Sequence, residues 1–133
     1  VIVVDSNILA YLYLPCEFTH YAEKLLISEP EWVSPVLWRS ELRNILAGYL
    51  RRKTLTFEQA YAIQREAESL LSGNEYEVDS LNVLALVRDS ECSAYDCEFV
   101  ALAKRLGVTL ITMDKKNLRS FPEIAQSLIN APS

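Results

Sequence analysis

Asp5, Glu41, Asp96 and Asp114 stand at points along the chain from which a fold can bring them together. Asp5 directly follows Val1-Ile2-Val3-Val4, a β-branched run without alternation that reads as a strand buried on both faces. Asp114 lies just past Val108 to Thr112, the last clear strand run. In a parallel sheet both positions point to the same edge. Clustered carboxylates offer the hard oxygen ligands that Mg²⁺ and Mn²⁺ prefer. One or two such ions would hold the acids together, activate a water and neutralise the charge that develops when a phosphodiester is attacked. That scheme requires no histidine.

Each acid also has a plain structural explanation. Aspartate is common after strands, where it caps the next helix. Glu41 is three residues after Trp38 and four before Ile45, at the edge of an apolar stripe of Trp38, Leu42, Ile45 and Tyr49. A carboxylate held there against the core is costly unless a cation or donor compensates. Alternatively, Glu41 pairs with Arg39 or Arg43 near the surface. Asp96 follows Ser93 by three residues, which resembles a capping box with Asp in place of Glu or Gln.

Other chemistries fit less well. The single histidine, His20, falls on an expected surface helix, which leaves no partner for an acid–base pair and makes a Ser–His–Asp triad a poor fit. Neither GxxxxGK nor GxGxxG occurs. Phosphatases that use an aspartyl nucleophile want Asp-x-Asp, and here Asn7 holds the third place of Asp5-Ser6-Asn7. The aromatic residues sit mostly at core-like spacing and need no base-stacking role.

The elements that must position these acids alternate. After the first strand, Ile8 to Leu14 reads as a short buried helix ended by Pro15, and Thr19 opens a second helix to about Ser28. Trp32-Val33 is a short strand. Ser34-Pro35 is a helix start, with Ser as cap and Pro at the first helical position, for a helix to about Arg52. Thr56 and Gln59 form a capping box for a helix ending near Gly73. Tyr76 to Val78 is a strand, and helices follow over 80–89 and from Ser93 to Leu106, the latter stopped by Gly107. Pro122 to Asn130 reads as a terminal helix. The order predicts an α/β fold around a parallel sheet, whose ligands bind beyond the carboxyl ends of the strands.

The 133 residues suit one compact domain spanning 1–133: half are apolar, and only 3 glycines interrupt the chain. The net charge of -5 disfavours nucleic acid as a partner unless bound metals neutralise the clustered acids. Bases are clustered too, with Arg39, Arg43, Arg51, Arg52 and Lys53 in one group and Lys115, Lys116 and Arg119 in another. The plain reading of each group is a solvated helix face or helix C-terminus; the first reads equally as a contact for substrate phosphates, with Arg39 and Arg43 as the candidates nearest Glu41. Cys16, Cys92 and Cys97 are odd in number and fit no zinc spacing, so each is expected to be a small buried hydrophobe in a reducing cytoplasm. No segment reads as a targeting sequence or membrane span.

The segments Val3-Val4-Asp5-Ser6-Asn7-Ile8-Leu9, Ser93-Ala94-Tyr95-Asp96-Cys97-Glu98-Phe99-Val100-Ala101-Leu102-Ala103 and Leu110-Ile111-Thr112-Met113-Asp114 closely resemble the PIN-domain family, in order and over essentially the whole chain. Within it they are most similar to the VapC-type toxins of toxin–antitoxin pairs. The resemblance implies a three-layer sandwich with a central parallel sheet of four to five strands flanked by helices. It implies an endoribonuclease dependent on Mg²⁺ or Mn²⁺, with Asp5, Glu41, Asp96 and Asp114 as its acids. Ser6 or Asn7, Ser93 and Thr112 match polar positions that support the acids or the attacking water. Asn117 matches a place where some relatives carry another acid, which leaves one metal or two open. Glu98 lies on another helix face from Asp96 and is left out of the site. The resemblance also implies a homodimer and a small VapB-like antitoxin, lodged in an apolar groove for which Ile8 to Leu14 is one candidate. The alternative is a non-catalytic module of the same fold that binds RNA or protein.

Overall fold

The computed structural model describes residues 1–131. Five short strands form one parallel sheet in the order β3-β2-β1-β4-β5. They are β1 (Ile2–Val4), β2 (Trp32–Pro35), β3 (Glu75–Tyr76), β4 (Leu110–Thr112) and β5 (Ala125–Ser127). Between them run α1 (Ser6–Tyr13), α2 (Thr19–Ser28), α3 (Trp38–Arg51), α4 (Phe57–Leu70), α5 (Ser80–Arg88), α6 (Ala94–Leu106) and α7 (Lys115–Ser120). From β1 the chain builds outward through β2 to β3, then crosses to the other side of β1 for β4. That reversal puts the crevice where such sheets bind ligands at the carboxyl ends of β1 and β4.

β1, β2 and β4 are buried along their whole length, and the polar Ser34 and Thr112 within them are hydrogen-bonded. α6 lies on β1, β2 and β4 and is backed by α5, whereas α1 meets β4 and packs with α2 and α3. The sixfold run from Cys97 to Ala103, interrupted only by half-buried Glu98, keeps Phe99, Val100, Leu102 and Ala103 in the main core. Gly107 ends α6 with φ of 67°, a left-handed conformation that a Cβ would strain. No described helix is long and apolar enough to cross a membrane.

Several expectations change. Ser34-Pro35 does not start a helix; it completes β2. Ser34 is fully buried, and its hydroxyl donates to the Val4 carbonyl at 2.5 Å, tying β2 to β1. The Ser34 and Val36 N–H groups bond toward β3, so the missing proline N–H falls between them, on the side β3 does not use. α3 therefore begins at Trp38. The expected helix over 122–130 is instead β5 followed by a single 3₁₀ turn, because pairing with β4 (Leu110 with Ala125, Thr112 with Ser127) overrides local preference. α7 is a further helix that was not expected, and β3 sits one residue earlier than its predicted start. Of the cysteines, Cys92 and Cys97 are buried but Cys16 is exposed. Ile8 and Leu9 of α1, and Leu14 just after it, are core residues, whereas Tyr11, Leu12 and Tyr13 are only half-buried. His20 is exposed, as expected.

Candidate active site

At the carboxyl ends of β1 and β4 lies a cleft of about 580 Å³, and Asp5, Glu41, Asp96 and Asp114 all line it. Each comes from a helix start or a helix face. Asp5 caps α1 by accepting the Ile8 N–H at 3.2 Å, and Asp114 caps α7 by accepting the Lys116 N–H at 3.2 Å. Capping a helix and lining the cleft are therefore compatible for both residues.

Asp5 is only 9 % exposed. Burial raises its pKa from 3.8 to about 6, against the donors Thr112 and Ile8, and the negative charge of Glu41 adds to the rise. Thr112 is fully buried and links two of the acids: its hydroxyl donates to Asp5 Oδ2 and accepts the Asp114 N–H at 3.0 Å. Glu41 does lean toward the core. It is half-buried, and Ser6 Oγ donates to its Oε1 at 2.6 Å. Burial pushes its pKa up, with Asp96 and Glu98 adding negative charge. Glu98 does not line the cleft, yet its charge reaches Glu41.

Asp96 shows why its capping role and a cleft role are compatible. Ser93 Oγ accepts the Asp96 N–H at 3.1 Å, and α6 has only this half of a capping box, whereas Thr56 and Gln59 complete both halves at α4. The Asp96 carboxyl lines the cleft beside Asp114. Its pKa is raised by burial first and by Asp114 next, while Ser93 and Lys116 oppose the rise.

Asn117 lines the same cleft and is 2 % exposed. Its Oδ1, like Asp114 Oδ2, is buried without a hydrogen-bond partner among the described residues. Two sheltered acceptors without donors, beside mutually repelling carboxylates, fit a hard cation with oxygen ligands. Among the described residues no three acidic, histidine or cysteine side chains close into a finished metal cage. The fit therefore rests on the orphaned oxygens and the donor chemistry.

Arg39 and Arg43 are not brought to the cleft. Arg39 forks onto Glu75 at 2.6 and 2.8 Å and stands 3.6 Å from Glu68, which takes it to the β3 side of α3. Arg43 lines a separate hollow between α3 and α4 with Leu46, Leu50 and Tyr61. Sequence reasoning missed Ser40, Asn44, Tyr11 and Tyr95 as cleft residues. Ser40 and Asn44 were within reach of it, because one flanks Glu41 and the other follows Glu41 by three residues on the same helix face. Asn7 and Ser6 line the cleft; Ser93 and Thr112 do not, but Ser93 bonds the Asp96 N–H and Thr112 bonds Asp5 and the Asp114 N–H.

The sequence model of the PIN domain matches residues 2–125. Ribonuclease VapC3 of Pyrobaculum aerophilum is 29 % identical over 126 residues, covering 92 % of this chain and 96 % of its own. Among solved structures, a toxin–antitoxin complex from Klebsiella pneumoniae superposes with a TM-score of 0.71 at 18 % identity, over 96 % of this chain and 98 % of that one. Mycobacterium tuberculosis VapC20, described as a Sarcin-Ricin loop cleaving toxin, gives 0.66 at 20 % identity over 91 % and 95 %. The family model spans nearly the whole chain and the fold recurs in these structures, so the chain belongs to the PIN-domain family.

Proposed function

We propose that this chain is a divalent-metal-dependent endoribonuclease and the toxin of a toxin–antitoxin pair. The observation that carries the reading is the convergence of Asp5, Glu41, Asp96 and Asp114 on one cleft that also holds the unpartnered oxygens of Asp114 and Asn117. The relative named a ribonuclease, and the neighbours described as toxins, support the substrate class. Asp5, Asp96 and Asp114 would hold Mg²⁺ or Mn²⁺, with the Asn117 carbonyl as a neutral oxygen beside them. A bound ion would neutralise the phosphodiester and acidify the attacking water.

The chain's own residues do the rest. Thr112 fixes Asp5 and the backbone of Asp114 relative to each other, so two acids from different strands keep one geometry. Ser6 holds Glu41 Oε1, which leaves Oε2 to accept a proton from the attacking water. The raised pKa of Glu41 suits that task. The cleft carries no arginine or lysine among its lining residues, so a basic side chain from a VapB-like antitoxin is the natural blocker of the site. A homodimer in the cytoplasm completes the reading.

The test is cleavage of an RNA panel with added Mg²⁺ or Mn²⁺, comparing the wild type with Asp5→Asn and Asp96→Asn. Cleavage should need metal and vanish in both variants. Wild-type cleavage that persists in EDTA, or activity retained by both variants, would overturn the proposal.

A further inference from the structure

Basic side chains on phosphates ordinarily supply much of a protein's grip on nucleic acid. This cleft has four carboxylates and, among its lining residues, no lysine or arginine. If RNA is its substrate, as proposed above, the strand must be held near the acids by something other than phosphate charge.

Tyr95 offers that hold. It lies in the first turn of α6, immediately before Asp96, and lines the cleft. It is 63 % exposed, although the aromatic residues as a group sit mostly at core-like spacing. No ring contact or hydrogen bond engages it among the described residues, whereas Tyr11 in the same cleft is packed on Phe18. From α3 the cleft receives Ser40 and Asn44, one turn apart, both exposed and without side-chain hydrogen bonds among the described residues. Leu37, which caps α3, and Ile45 within it also line the cleft. The cleft therefore combines a free aromatic face, an amide with donors and an acceptor together, and a hydroxyl, between apolar neighbours.

We propose that Tyr95, Ser40 and Asn44 form a nucleobase subsite that holds an unpaired base next to the scissile phosphate. The base stacks on the Tyr95 ring, and its edge meets the Asn44 amide and the Ser40 hydroxyl. An unpaired base exposes both its face and its edge, while a duplex hides them, so the subsite selects single-stranded RNA. Stacking is indifferent to the negative charge of the neighbouring acids, which is what this cleft requires. Base identity at the position next to the cut is then read by Ser40 and Asn44.

The experiment compares the wild type, Tyr95→Ala and Tyr95→Phe on a single-stranded RNA oligomer and on methyl p-nitrophenyl phosphate, a phosphodiester without a base. Both substrates are assayed with Mn²⁺, and KM is separated from kcat. Losing the ring should raise KM for RNA by about 5-fold to 150-fold, the range set by stacking one base on an aromatic ring. The loss should fall on KM rather than kcat, should exceed any loss on the small diester, and should be largely restored by Tyr95→Phe. Ser40→Ala with Asn44→Ala should flatten base preference beside the cut. An unchanged RNA KM in Tyr95→Ala would overturn the inference while leaving the ribonuclease reading intact. Equal losses on both substrates would overturn it too, since the ring would then serve the acids instead of a base. A wild type that cuts the small diester but no RNA would refute the ribonuclease reading, and the subsite with it.

Discussion

Replacing Asp5 with Asn should abolish activity and yet stabilise the metal-free protein at neutral pH. Asp5 is almost wholly buried, and its pKa is raised from 3.8 to about 6, chiefly by burial. Between roughly pH 4 and pH 6 the folded state therefore keeps a proton that the unfolded chain has released. Stability falls as pH rises through that window, and above it the penalty is constant at about 3 kcal/mol. Asn carries no charge to bury, so the penalty disappears. Against this, the Thr112 hydroxyl loses the acceptor it has in Asp5 Oδ2, which costs about 1 kcal/mol. The net gain is about 2 kcal/mol at pH 7.5, or roughly 6 °C in Tm for a domain of this length. Near pH 4.5 the wild-type penalty shrinks to about 1 kcal/mol, and the two proteins should have nearly equal stability. Urea unfolding in EDTA at both pH values reads the difference directly; EDTA matters because a bound cation would relieve the same penalty in the wild type. A variant less stable than the wild type at pH 7.5 would refute the reasoning. So would an advantage that is the same at both pH values.

Other substitutions separate the structural ties from the site. Ser34→Ala should cost about 1 kcal/mol in urea unfolding, because it leaves the buried Val4 carbonyl without the hydroxyl donor it now has. Lys53 holds a positive φ of 59° after α3, so Lys53→Gly should stabilise by up to about 1 kcal/mol in the same assay. Arg39→Ala should leave RNA cleavage within about twofold of the wild type, since Arg39 serves Glu75 and not the cleft. Arg39 holds the Glu75 carboxyl below its ordinary value, so the pair adds stability above the ordinary carboxylate range and loses it as pH falls through the lowered one. An acid-unfolding midpoint shifted upward in Arg39→Ala is the expected sign.

The site was legible where burial and periodicity speak together. Asp5 and Asp114 ended runs too apolar for anything but buried strands, and β1 and β4 are neighbours in the sheet. Glu41 sat at the edge of an apolar stripe and is indeed half-buried, although Leu46 takes the buried place expected of Ile45. Asp96 could not be settled by spacing, because a capping acid and a cleft acid look alike in sequence. Only the incomplete capping box distinguishes them. Ser34-Pro35 misled because a cap-and-proline pair also suits the end of a strand whose serine bonds across the sheet. β5 was invisible for a related reason: three residues that pair with β4 carry too little local preference to announce a strand. The aromatic residues read mostly as core by spacing, and nothing local reveals that the cleft leaves the Tyr95 ring uncovered.

Calorimetric titration of the purified protein with Mn²⁺ tests the central claim, that the acids of the cleft form a metal site, most directly. The wild type should bind Mn²⁺, and Asp96→Asn and Asp114→Asn should each weaken binding by about tenfold or more, given that each removes a charged ligand. Absence of any Mn²⁺ binding by the wild type, or binding undiminished in both variants, would contradict it.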